Sequence, residues 1–177
     1  MNMNIEEKLS DVRIAEPDRM FGLGLAEANW DSQARAEALL PLALAQLGTA
    51  GTDRTEWVKL LVLRIVREVL PIALKAARLS EDLIAACEQA EDLEQAHNAA
   101  YAASEAGDYD NAAYAAEVAA KAAFHANAVS AASIFAAAFA AADAAEHAHY
   151  AAYEASNSVD VLPLAARIAV ECIEETR

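Results

Sequence analysis

Residues 94–104 read Glu-Gln-Ala-His-Asn-Ala-Ala-Tyr-Ala-Ala-Ser and residues 146–156 read Glu-His-Ala-His-Tyr-Ala-Ala-Tyr-Glu-Ala-Ser, identical at eight of eleven positions. Glu-x-x-His on a helix stacks a carboxylate and an imidazole one turn apart on one face. In di-metal carboxylate bundles two helices each supply such a pair and two others each supply a Glu. The chain order provides a matching set: Glu68, then Glu94 and His97, then Glu117, then Glu146 and His149. A fainter third copy, Glu117 to Asn127, keeps the Glu and an aromatic but has Ala120 where the histidine would stand. The chemistry in question is oxygen- and nitrogen-donor metal binding.

The helices that would carry these pairs can be read from periodicity. Ser80 caps a helix to about Ala106, in which Leu83, Cys87, Ala90, Glu94, His97 and Tyr101 fall on one stripe at 100° per residue. A helix from Ser130 to about Ala155 aligns Phe135, Phe139, Ala142, Glu146, His149 and Tyr153 in the same way. Both pairs are therefore predicted to point inward, where a carboxylate must be paired or coordinated. Gly107 to Asn111 forms a compact turn, making an antiparallel hairpin with the next helix. At 1.5 Å per residue, Glu94 lies roughly 20 Å and Glu117 roughly 10 Å below that turn, while Glu146 returns to its level. Two metals in one centre sit about 4 Å apart, so these ligands do not share one. The expectation is no cofactor, and two buried Glu, His and Tyr clusters with Lys121 as the counter-ion of Glu94. His147 and His149, two apart, face different ways, and His125 reads as a packed or solvated side chain.

Composition sets the frame. Among 177 residues 48 are Ala, 24 of them between positions 101 and 150, against five Gly and four Pro. Alanine is the strongest helix former and no strand pattern competes, so the fold class is all-α: a compact Ala-rich multi-helix bundle of antiparallel hairpins with Pro-kinked or Pro-started helices. The length fits one domain, 1–177. Within it 1–30 is less regular, with a short helix near Ile5 to Ile14 and a loop-like Phe-Gly-Leu-Gly at 21–24; 31–79 holds apolar helices and 80–177 acidic Ala-rich ones.

Asp31 caps a helix to about Leu47, with Gly48 and Gly51 as the stop. Asp53-x-x-Glu56 reads as a capping box for a helix from Arg54 to about Leu79. Trp57, Leu60, Leu61, Leu63, Ile65, Val66, Val69 and Leu70 make that helix apolar nearly all round, hence central. Leu-Pro-Leu/Ile-Ala recurs at 40–43, 70–73 and 162–165, so three helices either restart or bend at proline. Asp110 caps the helix after the turn, which breaks near Asn127 to Ser130, and Asp160 opens the last helix. Cys87 and Cys172 read as buried small hydrophobes. The uncharged run Ala122 to Ala142 contains His125, Asn127, Ser130 and Ser133 and is too alanine-rich to favour a membrane.

The net charge of −15 is concentrated in 81–177, which carries −14. Such a field repels nucleic acid and anionic membrane and steers basic partners. Glycine-rich phosphate loops, nucleophile elbows and Cys–His clusters do not occur, which reads against an enzyme. Gly107-Asp108-Tyr109-Asp110 has the look of a tetratricopeptide turn, but no second copy follows 34 residues on.

Trp57 to Ala73, ending in Glu-Val-Leu-Pro-Ile-Ala, followed by Ala-rich helices studded with His and Tyr, resembles the immunity-five-like immunity proteins over about residues 57–145. The resemblance implies a helical bacterial protein that neutralises a partner toxin, without catalytic residues. The expected function is thus a cytoplasmic, non-catalytic inhibitor that binds a basic protein, a toxin, through outward carboxylates: Asp92, Glu105, Asp108, Asp110, Asp143 and Glu154. The alternatives are the ferritin-like di-metal protein and a DNA mimic whose carboxylates are spaced like phosphates.

Overall fold

The computed structural model describes residues 14–28, 31–107, 110–128, 130–156 and 161–176. Among the described residues every regular element is helical, as the composition requires: α1 (Glu16–Glu27), α2 (Ser32–Gln46), α3 (Thr55–Arg64), a π-helical turn (Ile65–Val69), α4 (Leu70–Ala76), α5 (Glu81–Glu88), α6 (Leu93–Ala106), α7 (Asn111–Asn127), α8 (Ala131–Ser156) and α9 (Val161–Glu175). Among the described residues no helix is long and apolar enough to cross a membrane. The uncharged run is divided, since α7 ends at Asn127 and α8 begins at Ala131.

Local chemistry places most boundaries. The Asp31 carboxylate accepts from Gln33 and Ala34 N–H, Ser80 Oγ from Leu83 N–H, and Asp110 from Ala113 N–H. Gly48 and Gly51 have φ of 80° and 77°, the left-handed region that an L side chain resists, and they end α2 as expected. The capping box is different from its expectation: Asp53 Oδ1 accepts from both the N–H and the hydroxyl of Thr55, while Glu56 pairs with Lys59. The three prolines differ too. Pro41 lies inside α2, Pro71 follows the π-helical turn, and Pro163 sits in the first turn of α9. Pro71 has no N–H for the Arg67 carbonyl and its ring crowds that oxygen; widening the preceding turn to i→i+5, with Leu70 N–H bonded to Ile65 O, relieves the clash.

Two sequence expectations are corrected here. The segment read as loop-like, Phe21 to Gly24, is the middle of α1, so Glu16–Glu27 is regular helix where a loop was expected. Gly24 is required by packing: a Cβ there would stand 2.6 Å from Ala142 Cβ on α8. The helix drawn from Ser80 to Ala106 is two helices, interrupted at Gln89–Asp92, because Asp92 caps a new start by accepting from Gln95 N–H. The expected helix near Ile5 to Ile14 falls almost wholly, and Asp160 entirely, outside the described residues.

The rod formed by α3, the π-helical turn and α4 is the centre, with Trp57, Val58, Leu61, Val62, Ile65, Val66, Val69, Leu70, Ala73 and Leu74 buried. In front of it α6, α7 and α8 lie side by side in antiparallel order, and α1 flanks α8. Behind and beside the rod, α9 packs against α2, and Trp57 Nε1 donates to the Ala169 carbonyl at 3.2 Å. One hydrophobic cluster runs from α1 to α9. At the base of α1 a buried polar knot joins the α2–α3 loop. Asp18 takes a bidentate pair from Arg54 (2.8 and 2.9 Å), Gln46 donates to the Asp18 carbonyl, and Thr49 Oγ1 accepts from Ala15 N–H.

Candidate functional site

The packing of α6 against α7 decides where the repeated motif goes. The buried side of α6 is Ala96, Ala99, Ala100 and Ala103, spaced i, i+3, i+4, i+7, and α7 buries ten residues of which nine are alanine. Such a seam brings backbones so close that only methyl groups fit; a Cβ on Gly107 would stand 2.5 Å from Ala113 Cβ. Large side chains are forced to its edges. Glu94 is exposed, Tyr101 is 54% exposed, and His97 is half-buried at the rim. There His97 Nδ1 lies 2.9 Å from the Ala120 carbonyl oxygen. A carbonyl only accepts, so the proton sits on Nδ1.

In the second copy Glu146 and His149 are half-buried, Tyr150 donates to Glu146 at 3.0 Å, and Tyr153 is 54% exposed. His149 Nδ1 is buried without a hydrogen-bond partner among the described residues, and burial pushes its pKa below the ordinary value against the opposing pull of Glu146. The expectation that both pairs face the core is therefore overturned. In the first copy Glu94 is outside and His97 at the rim, and the second copy straddles the border. The stripe drawn for the first copy crosses Gln89–Asp92, where the helix restarts and the register is reset.

The candidate metal set is dispersed. Glu68 is bound by Arg64 at 2.6 Å and Glu117 by Lys121 at 2.6 Å. Lys121 is thus the partner of Glu117, one turn away and exposed, and not the counter-ion of Glu94. Among the described residues no three His, Cys, Asp or Glu side chains converge where a metal could be held.

What the arrangement assembles instead is a surface. On the front of α7, Tyr114, Glu117, Lys121 and Phe124 form one exposed ridge. On its α6 side a groove of about 400 Å³ is lined by Tyr101, Ser104, Glu105, Asp110, Tyr114 and Glu117. Across the ridge a groove of about 510 Å³ is lined by Met20, Val118, Phe135, Phe139 and again Tyr114, with Lys121 and Asp143 at its polar margin. Both are of the size that takes a side chain or a small ligand.

Tyr114 is held from behind. Its ring centroid is 4.3 Å from that of His147, whose Nε2 faces Asp143 at 3.4 Å and whose Nδ1 faces Asn111 Oδ1 at 3.3 Å. Asn111 in turn donates to Glu154 at 2.9 Å. His147 therefore faces α7, away from the buried Nδ1 of His149.

Of the expected contact carboxylates, Glu105 and Asp110 line the first groove, Asp143 the second, and Glu154 joins them through Asn111. Asp92 sits apart at the far end of α6, near Asn127, as a helix cap. Asp108 lies outside the described residues. Sequence reasoning missed the aromatics. Tyr101, Tyr114, Phe124, Phe139 and Tyr153 are 44–61% exposed. The available signal was the alanine seam itself, because a helix whose buried positions are all methyl has nowhere inside for a ring.

Compared with known proteins, the chain matches no family model, no curated protein and no solved structure.

Proposed function

We propose that this chain is a non-catalytic inhibitory binding protein, acting in the cytoplasm as an immunity protein that occupies a basic partner toxin with the α6–α8 face. The observation that carries the reading is the inversion of that layer: aromatic rings and carboxylates stand outward over an alanine interior. Exposed rings interleaved with polar groups are what protein interfaces use as anchors. The carboxylates around them match a basic partner, steering its approach and setting specificity. Lys121 and His125 are the basic side chains of α7, and Lys121 is already paired with Glu117.

Affinity capture at low salt, followed by identification and reconstitution with the purified partner, tests it. The expected outcome is a basic protein whose association slows as salt rises and whose toxicity in cells is lifted by this chain. Salt-independent association with a neutral protein would remove the electrostatic reading, and a captured basic protein that stays fully active when bound would remove the inhibitory one.

A further inference from the structure

The two grooves share one wall, and resting on the preceding reading we infer what the partner must bring to them: an arginine for the α6–α7 groove and, beside it, a bulky apolar side chain for the α7–α8 groove, straddling Tyr114. The first groove pairs two exposed tyrosines with Glu105, Asp110 and Glu117. Glu105 has no ion-pair partner among the described residues, whereas Glu117 is already engaged by Lys121. A cation that both lies flat on a ring and bonds a carboxylate in two places is a guanidinium; an ammonium, a compact and strongly hydrated point charge, has no planar fork to match both carboxylate oxygens and gives up more hydration to sit on the ring.

The second groove is different in kind. Phe135, Phe139, Met20, Val118 and Ala140 give it an apolar floor, with Asp143, Lys121 and His125 at the margin. Phe139 is 48% exposed. An aromatic floor rimmed by polar groups is the form of a pocket for an apolar anchor. Tyr114 reaches both grooves, and the His147, Asn111, Glu154 and Asp143 contacts behind it hold the dividing wall in one position. A pre-set wall fixes the distance between the two anchors, which is what lets a surface select one basic sequence over another of equal charge.

The test uses the full chain and three short labelled peptides of equal length and charge, alternating arginine with leucine, lysine with leucine, or arginine with serine. Fluorescence anisotropy at near-physiological salt should rank arginine–leucine first by about tenfold over each of the others, the scale of one desolvated cation–ring contact or one buried apolar anchor. Glu105→Gln should weaken the two arginine peptides more than the lysine one. Phe139→Ser should bring arginine–leucine down to arginine–serine, and Tyr114→Ala should erase both preferences. Glu81→Gln, a carboxylate remote from the face, should change nothing beyond a small uniform loss. Circular dichroism melts of each variant exclude unfolding as the cause.

If all three peptides bind alike at low salt and every variant behaves like Glu81→Gln, the two-groove assignment is overturned while an acidic binder remains. If none binds even at low salt, the preceding reading falls with it.

Discussion

Asp18 and Arg54 are the most consequential pair of single residues in the fold. Both are buried, their bond is bidentate, and Arg54 also lies 4.8 Å over the Trp57 ring, so α1, the α2–α3 loop and the rod meet at one guanidinium. Removing one partner strands the other charge in the interior. Arg54→Met should cost about 3–5 kcal/mol in urea unfolding, and Asp18→Leu added to it should recover part of that loss. Neither residue is distinguishable in the sequence from any surface Asp or Arg, because their pairing spans 36 positions and depends on how α1 folds back.

His149 gives the second residue-scale expectation. Burial lowers its pKa in the folded state below the ordinary 6.5 of the unfolded chain. Between those values the unfolded state binds the proton more readily, so stability is fully present above about pH 6.5 and is lost as pH falls through the folded value. The unfolding midpoint of the protein should therefore fall relative to that of His149→Gln on acidification. Parallel midpoints from pH 7.5 down to 5 would exclude the effect.

At the scale of elements, glycine and alanine do the positioning. Gly24→Ala pushes a methyl group against Ala142, with no flexible side chain to yield, and should destabilise by about 1–3 kcal/mol. Gly22→Ala meets only the end of the Gln46 side chain and gains helix propensity, so it should be nearly neutral in the same denaturation measurement.

The helix content, the caps at Asp31, Ser80 and Asp110, the central rod and the two positive-φ glycines could all be read from the chain, since each is set by neighbours within a few residues. The facing of Glu94 and His97 could not. A periodic stripe gives direction only within one unbroken helix, and hydrophobic ranking fails where alanine outcompetes rings for the interior. That is a property of the paired helices, visible only once α6 and α7 are side by side.

For the molecule as a whole, the hydrophobic cluster that joins α1 to α9 also encloses both thiols. Burial raises Cys87 to about 11 and Cys172 to about 12, so neither is a thiolate near neutral pH and neither is reached by solvent. Labelling by a thiol reagent should be slow under native conditions, and both cysteines should react together at the rate of global opening. Fast reaction of one alone would reveal a part of the bundle that opens independently. The charge asymmetry between the two halves was legible in the sequence, but the grooves were not, because each is lined by side chains from different helices and exists only once those helices are packed together.

The alanine seam has a consequence for how this protein can change over time. In most small bundles a ring or a leucine both fills the core and shapes the outside, so altering the outside endangers the fold. Here the two duties fall on different residues: methyl groups hold α6, α7 and α8 together, while Tyr101, Tyr114, Phe124 and Phe139 project away from them. Exchanging Phe124, which at 61% exposure is the most outward of these rings, should shift stability by only about 0.5 kcal/mol, the usual cost of a surface substitution. The outward face can be rewritten one residue at a time with the scaffold beneath left as it is.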